Sequence, residues 1–118
     1  MSQISDELPI ITFNSLYNIL REEEKISTLY TLPNYFFEAV EEFINNKKNE
    51  LKSDSNSKIE HQYRSSLKII DKLQKLRAKK IAILAIDSPT QTQDEEKLGQ
   101  KEKDFCETLR KIYLKLYK

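Results

Sequence analysis

The chain has 118 residues, with 20 Lys+Arg against 19 Asp+Glu and a formal net charge of +1. That length suits one domain around one core, and the charge balance argues against a general polyanion binder built on a large basic excess. One cysteine excludes an internal disulfide framework and a Cys-based zinc site, and a single glycine, Gly99, argues against tight hairpins and glycine-rich phosphate loops.

Charged residues make up 33% of the chain and hydrophobic residues 38%, which predicts a helical protein with a modest core and a salt-rich surface. The longest apolar run, residues 81–86, is far shorter than a membrane span, and no basic start followed by an apolar run marks a leader. With a lone thiol, the simplest expectation is a reducing, intracellular setting.

Residues 1–11 lack helical periodicity and read as an N-terminal arm, with Ile10 and Ile11 available for packing. Thr12 is a plausible N-cap, and Phe13, Leu16, Tyr17 and Leu20 follow on one helix face. The run Arg21-Glu22-Glu23-Glu24-Lys25 reads as a solvated helix end. Leu32-Pro33 is expected to open a second helix, since proline is tolerated in a first turn. Tyr35, Phe36, Phe37, Val40, Phe43 and Ile44 form its apolar stripe, and Glu38, Glu41 and Glu42 its outer face.

Residues 53–57 are a polar linker, any of which suits an N-cap for the third helix. That helix, residues 57–86, holds no Gly or Pro and spans roughly 45 Å at ~1.5 Å per residue. Its last stretch, residues 81–86, is apolar on every side and is expected to be buried on every side. A loop at 87–94 with Pro89 follows, then Thr92 and Glu95 spaced as a capping box, with Asp94 a rival N-cap. The fourth helix carries Leu98, Phe105, Leu109, Ile112 and Leu116 in a near-heptad broken only by Glu102, while Cys106, Tyr113 and Tyr117 widen the stripe.

The fold class read from these patterns is all-α, a bundle of four main helices of unequal length with long third and fourth helices. Unequal helices leave apolar surface at the long ends, and the usual cover is another subunit. The residues expected at such an interface are Ile81, Ile83, Leu84, Ile86, Leu98, Phe105, Leu109, Ile112, Tyr113 and Leu116.

Catalytic groups are sparse. His61, the only histidine, has no nucleophile suggested by a motif, and it reads as a half-exposed helix residue. Cys106 beside Phe105 reads as a small buried hydrophobe, because a reactive thiolate needs a basic or helix-N-terminal setting. The acids at 22–24, 41–42 and 94–96 read as solvated faces, and no Glu-x-x-His pair suggests a di-iron bundle. Neither an enzyme, a metal site nor a cofactor is expected.

Among the basic residues Lys68, Lys72, Lys75, Arg77, Lys79 and Lys80, four lysines (68, 72, 75 and 79) fall on one helix face. As a nucleic-acid contact this face would meet about four phosphates, a weak and salt-sensitive attachment, with no interleaved aromatics to make a single-strand platform.

Three stretches in order resemble the helical domain of a GINS subunit, one of the small proteins of the replicative helicase assembly. They are Phe13-to-Leu32, FNSLYNILREEEKISTLYTL; Leu32-Pro33-Asn34-Tyr35-Phe36, close to the family's Leu-Pro-x-x-Phe helix opening; and Arg77-to-Ala85, RAKKIAILA, a basic-to-apolar helix end. The similarity covers residues 12–118, and its shortness favours an archaeal-type subunit. The small β-rich domain of the family has no counterpart here. The resemblance implies a non-catalytic scaffold that assembles with other GINS subunits, expected as a tetramer. It also implies links to the MCM helicase and a RecJ-like partner in DNA replication, in the cytoplasm near the nucleoid.

Overall fold

The computed structural model describes residues 8–54, 56–87 and 93–118. All its elements are helical: α1 (Phe13–Lys25), α2 (Phe36–Ser53), α3 (Ser57–Asp87), a 3-10 turn (Gln93–Lys97) and α4 (Gln100–Tyr117). Among the described residues, no helix is long and apolar enough to cross a membrane.

α3 is the element on which the others are built. Its 31 residues extend roughly 46 Å at ~1.5 Å each, most of the 56 Å long axis of the molecule. α1, α2 and α4 each pack against it. The Oδ1 of Asn56 starts this helix, accepting the N–H groups of Lys58 at 2.7 Å and Ile59 at 3.2 Å. Ser66, Ile69, Leu73, Arg77, Ile81 and Ala85 are its buried positions, one face at helical spacing. The radius of gyration, 16.8 Å, exceeds the ~13.5 Å of a compact chain of this length, so the long helix is not wrapped on all sides.

Two apolar cores lie along that face. Leu16 and Leu20 of α1, Phe36 and Val40 of α2, and Ile69 and Leu73 of α3 make the first, with Ile11 and Phe13 packed against it. Leu29, Ile81, Ala85, Leu98 and Cys106 make the second. α1 begins where the pattern predicts. Thr12 is extended, its hydroxyl accepts the Ser15 N–H at 3.1 Å, and the Ser15 hydroxyl accepts the Thr12 N–H at 2.8 Å.

Several expectations are corrected. α2 starts at Phe36, not at Leu32-Pro33. Pro33 instead heads a turn closed by the Phe36 N–H donating to its carbonyl at 3.2 Å, and Tyr35 takes a left-handed conformation there, φ 61°. α4 starts at Gln100, so Leu98 belongs to the joint after the 3-10 turn rather than to the helix, and α4 is no longer than α2, 18 residues each. Residues 1–7 of the arm, Pro89 and Thr92 lie outside the described residues.

Residues 81–86 are not buried all round. Ile81 and Ala85 are each 1% exposed, but Ile83 is 60% and Ile86 49% exposed, because only the face of α3 toward Leu29 and α4 meets another part of the chain. The near-heptad stripe of α4 likewise turns partly outward, leaving Phe105, Ile112 and Leu116 exposed. The positions of α4 that turn inward are Glu102, Cys106 and Arg110, spaced by four, because two of them are charges whose partners sit beneath the helix.

Candidate functional site

Between the two cores, at the position of the α3 stripe where an aliphatic residue would continue the pattern, stands Arg77, 1% exposed. Five acceptors answer its five N–H groups. Nε donates to Glu102 Oε2 at 2.8 Å and Nη2 to Glu102 Oε1 at 2.9 Å. Nη1 donates to Glu23 Oε1 at 2.6 Å and to the Tyr30 carbonyl at 2.8 Å, and Nη2 reaches the Lys97 carbonyl at 3.5 Å. One side chain thus holds α1, the α1–α2 connection, the 3-10 turn and α4.

Lys80, one turn on, completes the cluster. Its ammonium donates to the carboxylate of Glu23 at 2.8 Å and to the carbonyls of Glu23, Ile26 and Thr28 at 2.6, 2.9 and 2.8 Å. Those carbonyls lie at and beyond the last turn of α1, where partial negative charge collects. Glu23 also accepts the Tyr30 N–H at 3.0 Å. Two cations and two carboxylates neutralise one another here. Burial alone would lower the Arg77 pKa, but Glu102 and then Glu23 outweigh it and hold the pKa above its ordinary value.

A second, smaller cluster lies beneath α4. Arg110 Nη2 donates to Glu95 Oε2 at 3.0 Å and Nη1 to Glu107 Oε2 at 2.7 Å. Its pKa is raised as well: desolvation lowers it, and the bond and charge of Glu95 more than compensate. Cys106 Sγ lies 3.9 Å from Glu95 Oε1 and 3.8 Å from Arg110 Nη2. Burial, with the charge of Glu95 added, pushes the thiol pKa up against the opposing pull of Arg110. The thiol therefore keeps its proton to higher pH than a free thiol, and Cys106 is buried, as its reading as a small hydrophobe expects.

These clusters overturn two sequence expectations. Glu23 is not part of a solvated end but is fully buried, and Glu95 is buried too. Arg77 and Lys80 leave the basic surface group for the interior, because carboxylates and carbonyls from other elements make burial of their charge affordable. The signals existed in the sequence: Arg77 interrupts the Leu73–Ile81 register, and Glu102 interrupts the α4 heptad. A mismatch on each of two facing helices, opposite in charge, marks a buried pair.

Of the residues expected at an interface, Ile81 and Leu98 are taken up by the chain's own second core, with Leu84 and Leu109 packed at its edge. Tyr113 is half-buried and tilts against Tyr117, ring centroids 5.1 Å apart. Ile83, Ile86, Phe105, Ile112 and Leu116 are exposed. Lys68, Lys72, Lys75 and Lys79 are all exposed, and Lys75 pairs with Asp71 at 3.0 Å. His61 is exposed. Among the described residues no group of three or more His, Cys, Asp or Glu is placed to hold a metal ion.

The salt clusters can lock helices together, and their charged groups are occupied in doing so. The exposed aliphatic positions of α3 and α4 can lose water to a partner. No family model, curated protein or solved structure matches this chain.

Proposed function

We propose that the chain is a non-catalytic scaffold subunit, a four-helix bundle of GINS type, that assembles with like subunits and links an MCM helicase to a RecJ-like partner. The observation that supports this reading is the meeting of the first and third resembling stretches at one ion-pair hub. Glu23 and Tyr30 belong to the first, the turn at Pro33 opens the helix that follows, and Arg77 and Lys80 belong to the third. A shared ion-pair hub gives those separated segments a common structural reason.

The same hub leaves a second feature that suits assembly. With α4 rotated to bring Glu102 inward, its Phe105, Ile112 and Leu116 face outward, Ile83 and Ile86 of α3 are exposed as well, and burying them on a partner releases about 25 cal/mol per Å² of apolar area. The expected oligomer is a tetramer in an archaeal cytoplasm.

Light scattering after size exclusion tests the reading. The expected result is self-association, or co-elution with a sister subunit, that Ile112→Glu with Leu116→Glu abolishes while the helical circular dichroism stays intact. A monomer at micromolar concentration that captures neither a sister subunit, nor MCM, nor a RecJ-like protein would refute it.

A further inference from the structure

The lysine face of α3 does not stand alone. Tyr17, Leu20, Arg21, Glu24 and Lys25 of α1 and Lys72 of α3 enclose a surface groove of about 470 Å³. Lys72 lines this groove and shares its helix face, at i−4, i+3 and i+7, with the exposed lysines 68, 75 and 79. Arg21, Lys25 and Lys72 thus line the groove, and Lys68, Lys75 and Lys79 are exposed on the face of α3 that carries Lys72. Three carboxylates accompany them: Glu24 in the groove, Glu22 paired with Lys25 at 3.2 Å, and Asp71 paired with Lys75 at 3.0 Å. A basic excess gathers here although the whole chain carries only +1.

The α1 side supplies what the lysine row lacks in sequence, an aromatic ring. Tyr17 is 45% exposed, its hydroxyl accepts Arg21 Nη1 at 3.3 Å, and the Arg21 guanidinium carbon lies 5.7 Å from the ring centroid. A ring beside a guanidinium, on the wall of a basic groove, is a surface on which a base can stack while the cations meet phosphates.

We infer that the α1–α3 groove binds a single nucleic-acid strand, stacking a base on Tyr17 and holding the adjoining phosphates with Arg21, Lys72 and the lysine row. A duplex keeps its bases stacked inside and gives Tyr17 nothing to stack on, so the aromatic favours a single strand. The competing carboxylates make the attachment weak and salt-sensitive. This inference is independent of the assembly reading, because the groove lies within one chain and is complete in a monomer.

Fluorescence anisotropy with a labelled oligothymidine of about twelve nucleotides tests it. Affinity in the micromolar range is expected, falling at least about five-fold between roughly 50 and 200 mM salt as phosphate counterions compete. Arg21→Glu with Lys72→Glu is expected to weaken binding about ten-fold or more, and Tyr17→Leu to weaken single-strand binding about five-fold or more. Lys101→Glu with Lys111→Glu, on the exposed side of α4, should leave it unchanged. Circular dichroism checks that each variant folds. Four results would overturn the inference: no binding by the parent chain, unchanged affinity of the Arg21/Lys72 or Tyr17 variant, tighter binding to a duplex of the same length, or displacement by polyglutamate as effective as by unlabelled oligonucleotide.

Discussion

Arg77 holds Glu102 through two hydrogen bonds, Nε to Oε2 at 2.8 Å and Nη2 to Oε1 at 2.9 Å, and so ties the middle of α3 to the first turn of α4. Bidentate pairing fixes the rotation of α4 as well as its distance, since the planar fork accepts a carboxylate in few orientations. The rotation then decides which apolar side chains of α4 are covered.

Arg77→Met is therefore expected to cost about 3–5 kcal/mol, because it leaves Glu23 and Glu102 without their guanidinium partner. Replacing Arg77, Glu23 and Glu102 together by apolar residues of similar size should recover part of that loss, since the Lys80 ammonium is then the one charge of the hub without a counter-ion and keeps the carbonyls at positions 23, 26 and 28 as acceptors. Urea unfolding of the single and triple variants measures both. A triple variant no more stable than Arg77→Met would show that the hub contributes more than mutual neutralisation.

Neighbouring isoleucines on α3 should respond differently to truncation. Ile81, 1% exposed, belongs to the second core, so Ile81→Ala should cost about 2–5 kcal/mol. Ile83, two residues on and 60% exposed, should cost within about 0.5 kcal/mol in the monomer. Thermal melts at a concentration too low for association make the comparison. A large loss at Ile83 there would place it in a core of the single chain.

Ser66 is fully buried, and its hydroxyl oxygen has no hydrogen-bond partner among the described residues. Ser66→Ala removes a desolvated polar group from a helix interior and improves helix propensity. It should stabilise the protein by about 1 kcal/mol. An unchanged or lowered urea midpoint would mean that the hydroxyl finds a partner in solution.

The raised thiol pKa of Cys106 carries a pH dependence with a definite sign. In the unfolded chain the thiol ionises near its ordinary value of about 8.5, while the folded chain keeps its proton to higher pH. The unfolded state thus binds fewer protons above that value. The contribution is fully present below about pH 8.5 and is lost as pH rises toward and through the folded pKa. The loss is at most about 1.4 kcal/mol per pH unit. Cys106→Ala should show a shallower alkaline decline than the parent chain in urea unfolding at successive pH values. Parallel declines would contradict the assignment.

Tyr35 pays for a left-handed turn, φ 61° and ψ 27°, at the entrance of α2. Asn tolerates that region better and can also cap the helix, so Tyr35→Asn should gain about 0.5–1 kcal/mol. A β-branched residue is least suited to it, and Tyr35→Val should lose about 1–2 kcal/mol. Equal melting temperatures for the two variants would show that the turn relaxes without strain.

The helices were legible because local rules set them. Thr12 before a spaced apolar face marked the start of α1, and a run without Gly or Pro marked α3. Leu-Pro fits a helix opening and a turn equally well, so the start of α2 at Phe36 is not legible locally, and the Phe36-to-Pro33 hydrogen bond separates the two. The burial of Glu23 is illegible for a similar reason. An acid in a run of three looks solvated until Arg77, 54 positions away, is brought to it.

By itself the sequence determined the all-helical character, the long third helix and the apolar faces available for packing, since periodicity, capping and proline act within a few residues. Tertiary structure alone decided which charges are interior and which hydrophobes are left in water. The energy of burying Arg77, Glu23 and Glu102 depends on partners far apart in the chain, and satisfying it turns α4 so that Phe105, Ile112 and Leu116 remain exposed.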